Sequence, residues 1–98
     1  MFFTWDSEKD RSNRKKHSGV DFVTASRVFA DPNLLLRKDR EVNGEQRWHA
    51  IGAAKNSVLL VVHVYIEEEA NGEETIRIIS AREANSSERR VYLEQTVD

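Results

Sequence analysis

The chain has no cysteine, and only one proline and four glycines occur among its 98 residues. Without cysteine it forms no disulfide and has no thiolate for catalysis or metal binding. No apolar run approaches the roughly 18 residues that a membrane-spanning helix needs, so we expect no membrane contact. Met1-Phe2-Phe3 is too short for a signal peptide, and acidic Asp6 follows closely. We therefore expect a cytoplasmic protein with a single domain over residues 1–98.

The charges are distributed unevenly along the chain. Fifteen Lys and Arg residues against 17 Asp and Glu residues give a net charge of −2. Five glutamates crowd the segment 67–74, and without them the balance is 15 basic against 12 acidic residues, or +3. Another segment, 11–16, contains four basic residues. The total charge therefore permits a local basic surface for nucleic acid, although most charged runs are simply solvated.

Helix signals dominate the first third of the chain, after a short aromatic strand over residues 2–5. A polar helix is predicted through about His17, with Asp6 or Ser7 as its N-cap and Ser18-Gly19 at its end. Asp21 caps a second helix, and Asp31-Pro32 ends that helix. The apolar positions of the second helix are Phe22, Ala25, Val28 and Phe29. Their spacing is typical of a helix that faces a core.

Most of the remaining chain has strand patterns. Asn-Gly dipeptides at 43–44 and 71–72 predict tight turns between strands. The strand over 57–66 is apolar on both faces, so we expect it at the centre of the sheet. A last helix is predicted over about 86–96. The fold class is therefore α+β, with an antiparallel four- to five-stranded sheet, two N-terminal helices and one C-terminal helix, in the order β-α-α-β-β-β-β-α.

Residues 76–84 combine a strand pattern with a helix start. Alternation places Arg77 and Ser80 on opposite sides of the strand. Ser80 and Glu83 have capping-box spacing, which predicts Arg82 in the first turn of a helix. Two guanidinium groups, which suit phosphate and stay charged, are thus expected near a junction of sheet and helix. The alternative is a surface strand whose arginine pairs with a carboxylate.

The histidines stand far apart and lack metal-ligand spacing, so we expect no metal site and no cofactor. Suitable strand register would gather Arg47, His49, His63 and Arg77 at one end of the sheet, with Lys16, His17 and Arg82 from helix ends. Such a set suits metal-free RNA cleavage. There the ribose 2′-OH is the nucleophile, a histidine or carboxylate takes its proton, and Arg or Lys stabilises the phosphate charge. The structural alternative pairs Arg47 and Arg77 with Asp31 or Asp39.

Short motifs follow one another in a characteristic order along nearly the whole chain. They are Trp5-Asp6, Lys9, Asn13, Lys16-His17, Phe22, Ala25, Val28-Phe29, Asp31-Pro32, Gly44-Glu45, Arg47-Trp48, Ile51-Gly52, Val61-Val62-His63, the run Arg-Ile-Ile-Ser-Ala-Arg at 77–82, Ala84, Glu88-Arg89-Arg90 and Tyr92. With these motifs the chain resembles the BrnT toxins of bacterial type II toxin–antitoxin pairs. The run at 77–82 is the most specific part of the resemblance, and Lys16-His17 is second. One departure is Ser18, which stands where glycine is expected directly after the histidine.

The resemblance implies a RelE-like fold and a ribonuclease that inhibits translation. It also implies a BrnA-type antitoxin as partner, with operator DNA bound only through the toxin–antitoxin complex. The site residues that it implies are Arg77, Arg82, Lys16, His17, Arg47 and His63. Arg77 would contact the scissile phosphate, and Arg82 and Lys16 would hold flanking phosphates or the transition-state charge. His17 or His63 would carry the proton.

Two other functions compete with this interpretation. One is a non-catalytic module that acts only by holding a protein partner. The other is direct DNA binding by this chain alone, which the acidic segment 67–74 and the lack of a helix-turn-helix pattern argue against.

Overall fold

A five-stranded sheet with helices on both faces forms the protein, in a computed structural model that describes residues 1–67 and 72–95. The strands are β1 (Phe2–Thr4), β2 (Leu35–Val42), β3 (Glu45–Ala54), β4 (Ser57–Glu67) and β5 (Glu74–Glu83). The helices are α1 (Ser7–Lys16), α2 (Phe22–Ser26), a 3₁₀ helix (Arg27–Ala30) and α3 (Ser86–Gln95). The predicted α+β class is confirmed. Within the described ranges, no helix is long and apolar enough to cross a membrane.

The sheet is mixed, so the predicted antiparallel arrangement is wrong at one edge. The strand order is β1-β5-β4-β3-β2, and β2 to β5 form an antiparallel meander. β1 instead pairs in parallel with β5, with Phe2 beside Thr75 and Thr4 beside Arg77. Parallel strands need a long crossover connection, and the chain between β1 and β5 supplies it. The prediction that β4 lies at the centre of the sheet is confirmed.

The second helical segment also differs from its prediction. The single predicted helix is divided into α2 and the 3₁₀ helix, so the order becomes β-α-α-3₁₀-β-β-β-β-α. Phe22 and Ala25 of α2 and Val28 of the 3₁₀ helix are all buried, so both helical segments face the core. The predicted N-cap is confirmed, because Asp21 Oδ1 accepts a hydrogen bond from the Thr24 amide at 2.6 Å.

The first Asn-Gly turn joins β2 to β3 as predicted. Asn43 and Gly44 have φ angles of 51° and 81°, the left-handed pair that a type I′ turn requires. The second predicted turn, at 71–72, lies partly outside the described residues, because residue 71 is not among them.

β5 contains one more residue than β4 across the middle of their pairing. Val62 pairs with Ser80, but the next β4 residue, His63, pairs with Ile78. Ile79 is therefore the extra residue of a β-bulge. A bulge shifts the alternation of side chains by one position, so the residues beyond it change faces relative to a regular strand.

Because of this bulge, Arg77 and Arg82 lie on the same face of the sheet. Arg77 pairs with Val64 and Arg82 pairs with Leu60, and these two β4 residues are an even number of positions apart. Ser80 also lies on this side. The prediction that alternation separates Arg77 from Ser80 is therefore wrong.

Helix α3 begins only after β5 has ended, so the predicted capping box at Ser80 and Glu83 is wrong. β5 continues through both residues. Asn85 and Glu88 form the capping box instead. The Glu88 amide donates to Asn85 Oδ1 at 2.8 Å, and the Asn85 amide donates to Glu88 Oε1 at 2.9 Å. Arg82 therefore lies on the strand and not in the first turn of a helix.

One face of the sheet, the core face, is covered by α2 and the 3₁₀ helix. The buried residues between these layers include Phe22, Ala25, Val28, Ala50, Leu59, Val61, Ile76, Ile78 and Ala81. Each large apolar side chain buried here stabilises the fold by about 1.5–3 kcal/mol. A smaller cluster lies on the opposite face, where Tyr92 of α3 packs against Ile51 and Leu60.

A buried asparagine attaches α1 to the edge of β5. β1 pairs only with residues 75–77 of β5, so α1 meets a later part of the strand that β1 leaves uncovered. Asn13 Nδ2 donates to the Ala81 carbonyl at 2.7 Å, and the Ala81 amide donates to Asn13 Oδ1 at 3.0 Å. Nδ2 also donates to the Val20 carbonyl at 3.0 Å. The Asn13 side chain thus takes the place of a neighbouring strand.

Tyr92 and Gln95 anchor α3 to the segment that follows the 3₁₀ helix. The Tyr92 hydroxyl donates to Asp31 Oδ2, and burial together with this carboxylate raises the pKa of Tyr92 to about 12. Gln95 Nε2 donates to the Asn33 carbonyl at 2.6 Å. Val91 is exposed. The predicted C-terminal helix is confirmed, although its predicted last residue lies outside the described range.

Candidate active site

The sheet surface opposite the core face carries guanidinium and imidazole groups, and we call it the arginine face. It comprises Arg37, Arg47, His49, Arg77 and Arg82. Alternation along β3 places Arg47 and His49 on this side, and Arg37 pairs with His49 from β2. The bulge in β5 adds Arg77 and Arg82. Four of the five strands therefore shape this surface, and three of them supply its charged groups.

Two valines form the floor of the arginine face. Val64 pairs with Arg77 of β5. On the β3 side, Trp48 pairs with His63, so the next position of the same register places Arg47 beside Val64. Since neighbouring strands lie about 4.8 Å apart, the Cα atoms of Arg47 and Arg77 are about 10 Å apart. Val62 lies between His49 and Ser80 in the same way. Two long guanidinium side chains thus flank a site wide enough for one phosphate group.

Carboxylates hold some of these side chains in place. Arg77 Nη2 lies 2.6 Å from Glu45 Oε1, and the two side chains remain 39% and 49% exposed. In the part of the chain that the structure describes, the Arg47 guanidinium has no carboxylate partner. Asp31 and Asp39, the partners in the structural alternative, bond to other groups. Arg47 therefore retains its donors for a ligand.

Arg82 is bound by helix α3. Its two terminal nitrogens lie 2.8 and 3.0 Å from the two carboxylate oxygens of Glu88, a bidentate pair. The hydrogen bonds that Arg82 donates to Glu88 raise the pKa of Arg82, and they lower the pKa of Glu88 despite its burial. The pair links the end of β5 to the first turn of α3.

His49 is oriented by an acidic partner. Its Nε2 atom lies 3.1 Å from Asp39 Oδ2, and both side chains are about one-quarter exposed. The hydrogen bond from the Arg40 amide lowers the pKa of Asp39, and His49 lowers it further. Burial raises this pKa but does not outweigh them. Asp39 lies two residues after Arg37, so alternation along β2 places both side chains on the arginine face, and the register of β2 with β3 shifts by one residue between Lys38 and Glu41.

Lys16 and His17 meet Arg82 at the edge of the sheet. A cavity of about 200 Å³ is lined by Lys16, His17, Ser18, Arg82 and Glu83. A neighbouring cavity of about 250 Å³ shares Lys16 and His17 and adds Lys9, Ser12, Asn13, Ile79 and Ser80. The inserted Ser18 has a φ of 52° and Gly19 a φ of 84°, so two left-handed residues end α1 here. The structure thus brings three of the predicted site residues together.

His63 lies apart from the other predicted residues. It is fully buried on the core-face side, where its ring packs against Phe29 at 4.9 Å and Tyr65 at 5.0 Å between centroids. Its register partner is Ile78, so the expected approach to Arg77 does not occur. Nδ1 lies 3.2 Å from the Val61 carbonyl, and Nε2 has no hydrogen-bond partner among the described residues.

Stability should depend on pH through His63. Burial lowers its pKa from 6.5 to about 4, although the Val61 carbonyl opposes this shift. As pH falls from 6.5 to 4, His63 becomes protonated in the unfolded chain but stays neutral in the folded chain. The free energy of unfolding therefore decreases by up to about 3 kcal/mol. We expect His63→Met to lose less stability over this range, as measured by urea unfolding at several pH values. Parallel pH profiles for both proteins would contradict this role.

The sequence predictions did not include Arg37 or Glu45 in the site, and they considered Asp39 only as a partner of Arg47 or Arg77. Arg37 and Asp39 lie on β2, where Arg37 pairs with His49 and alternation places Asp39 on the same side. Glu45 was recognised in the Gly44-Glu45 motif but not as a partner of Arg77. The Asn-Gly turn and strand alternation place Glu45 on the same side as Arg47, so the signal for Glu45 was present in the sequence.

Comparison with known protein families assigns this chain to one of them. A family model described as "Ribonuclease toxin, BrnT, of type II toxin-antitoxin system" matches residues 5–88. The match includes every residue of the arginine face and the Lys16-His17 pair. A search of curated proteins finds no match. The chain belongs to the BrnT family of type II toxin–antitoxin ribonuclease toxins.

Proposed function

We propose that this toxin cleaves RNA on the arginine face by attack of a ribose 2′-OH, without a catalytic metal ion. The observation that carries the proposal is the placement of Arg47 and Arg77 on either side of Val64, on one exposed surface. Two guanidinium groups in this arrangement provide preorganised donors for the charge that develops on a phosphate under attack. The nucleophile belongs to the RNA itself.

The site residues divide into two groups along the RNA path. Arg77 contacts the scissile phosphate, and Arg47 supports it from the opposite side. Lys16, His17 and Arg82 bind a neighbouring phosphate in the cavity at the sheet edge. This division needs an RNA of at least two linkages, and it leaves buried His63 outside the chemistry.

We further propose that a BrnA-type antitoxin neutralises the toxin in the cytoplasm by covering the arginine face. Glu45 and Glu88 form ion pairs with Arg77 and Arg82 within the chain itself. These pairs support the proposal that acidic side chains bind this surface. An antitoxin that presents carboxylates here would compete directly with RNA. Operator DNA would then be bound through the antitoxin within the complex.

Incubation of the purified chain with a defined RNA, free and in a translation extract, tests the proposed function. We expect cleavage that persists in excess EDTA and leaves 2′,3′-cyclic phosphate and 5′-OH ends. Cleavage that stops in EDTA and returns with Mg²⁺ would contradict the metal-free reaction. Intact RNA under all conditions, with a tight antitoxin complex, would instead favour the non-catalytic binding module.

A further inference from the structure

We infer that Glu45 and His49 are the proton-transfer pair of this site, with Glu45 as the general base and His49 as the general acid. The inference rests on the proposed RNA cleavage and assigns the two proton transfers that it requires. Both residues lie on β3, on the arginine face, and they stand on either side of Arg47.

The spacing of Glu45 and His49 fits an in-line displacement at phosphorus. Glu45 and His49 are four positions apart on β3, so their Cα atoms are about 13 Å apart, and Arg47 lies halfway between them. A phosphate held between Arg47 and Arg77 therefore has the Glu45 carboxylate on one side and the His49 ring on the other. In-line displacement at phosphorus needs base and acid on opposite sides of the phosphate.

Glu45 is joined to the phosphate site by its ion pair with Arg77. Oε1 lies 2.6 Å from Arg77 Nη2, and the other guanidinium N–H groups of Arg77 form no bond to any residue that the structure describes. One guanidinium can thus hold the carboxylate and a phosphate oxygen at the same time. The carboxylate is then next to the 2′-OH of the nucleotide whose phosphate is bound.

His49 is prepared for the opposite transfer by Asp39. Nε2 donates a hydrogen bond to Asp39 Oδ2 at 3.1 Å, which keeps a proton on Nε2 and fixes the ring. Nδ1 has no partner within residues 1–67 and 72–95, so it is the nitrogen that can serve the substrate. In its charged form the ring carries a proton on Nδ1 as well.

The other candidates are less suitably placed. His63 is buried on the core-face side. Glu88 is only 12% exposed, and both of its carboxylate oxygens bind Arg82. His17 lies in the cavity beside Arg82 at the sheet edge, beyond the row of Arg47 and Arg77.

The step balances as a transesterification. The Glu45 carboxylate takes the 2′-OH proton, and the 2′-oxygen forms a bond to phosphorus. The bond from phosphorus to the 5′-oxygen breaks, and that oxygen receives the Nδ1 proton of the His49 imidazolium. The products are a 2′,3′-cyclic phosphate and a 5′-OH. Glu45 then releases its proton to water, and His49 regains one from water.

A substrate with sulfur in place of the bridging 5′-oxygen separates the two roles. A thiolate leaves without protonation, so it bypasses the general acid but still needs the general base. We would measure single-turnover cleavage of the normal and the 5′-thio RNA by wild type, Glu45→Gln and His49→Gln. Glutamine can still accept the Arg77 hydrogen bond, which preserves its position. Glu41→Gln, an exposed substitution on the neighbouring strand, is the matched control.

On normal RNA we expect both variants to lose about 10²–10⁴-fold in rate, with RNA binding and melting temperature near those of wild type. On 5′-thio RNA we expect His49→Gln to recover most of its rate and Glu45→Gln to remain slow. Wild-type rates for both variants on normal RNA would overturn the pair, as would an undiminished His49→Gln defect on 5′-thio RNA. If wild type cleaves neither RNA, the proposed function itself fails.

Discussion

Arg77→Ala is expected to abolish growth arrest on expression in bacteria and to lower the rate of RNA cleavage by about 10²–10³-fold. The guanidinium supplies donors at the developing phosphate charge and, through its 2.6 Å contact, also positions Glu45. Alanine removes both effects at once. We would measure growth after induction, map the RNA ends, and compare single-turnover rates of the purified proteins.

The fold should survive this substitution. The Arg77 side chain is 39% exposed, and an exposed ion pair such as that with Glu45 contributes about 1 kcal/mol or less. Arg27→Ala is the matched control, because Arg27 is an exposed arginine on the 3₁₀ helix, which covers the core face. We expect it to arrest growth like wild type. Full toxicity of a folded Arg77→Ala protein would place the chemistry elsewhere.

Helices and central strands were predictable because their signals are local and repeated. The run over 57–66 is apolar on both faces, and only a central strand covers such a run. The Asp21 cap was predictable because its hydrogen bond spans three residues. Parallel pairing of β1 with β5 joins segments more than 70 residues apart, and no local pattern specifies it.

The capping box shows how tertiary pairing overrides a local motif. Ser80 and Glu83 have the required spacing, but Ala81 and Arg82 pair with Val61 and Leu60 and keep the chain in the sheet. The helix start moves to Asn85, which has the same spacing to Glu88. Both motifs are equivalent in sequence, and only the strand partners distinguish them.

The candidate site was predictable in its residue types more than in its arrangement. Arg77 and Arg82 are five positions apart, which in a regular strand places them on opposite faces. The bulge at Ile79 brings them to one face, and no turn residue marks it in the sequence. Alternation correctly separated Arg47 and His49 from Trp48, but it did not show that His63 lies on the opposite, core-face side of the sheet.

Asn13→Ala is expected to have the largest effect on stability of any polar substitution in the described chain. The Asn13 side chain is buried and forms three hydrogen bonds, two to Ala81 and one to Val20. Alanine leaves these backbone groups without partners and removes the link between α1 and β5. At about 1–3 kcal/mol for each unsatisfied group, with partial relaxation, we expect a loss of about 3–5 kcal/mol in the free energy of unfolding.

For a domain of this size, such a loss lowers the melting temperature by roughly 15–30 °C. Thermal and urea unfolding would measure it, with Ser12→Ala as the control, because Ser12 is the exposed neighbour on the same helix. A change below about 1 kcal/mol would show that Asn13 is not the attachment of α1 to the sheet.

The expected loss also concerns function: Lys16 and His17 lie at the end of α1 and reach Arg82 only while α1 is held against β5. RNA binding by folded Asn13→Ala protein at low temperature should therefore be weakened.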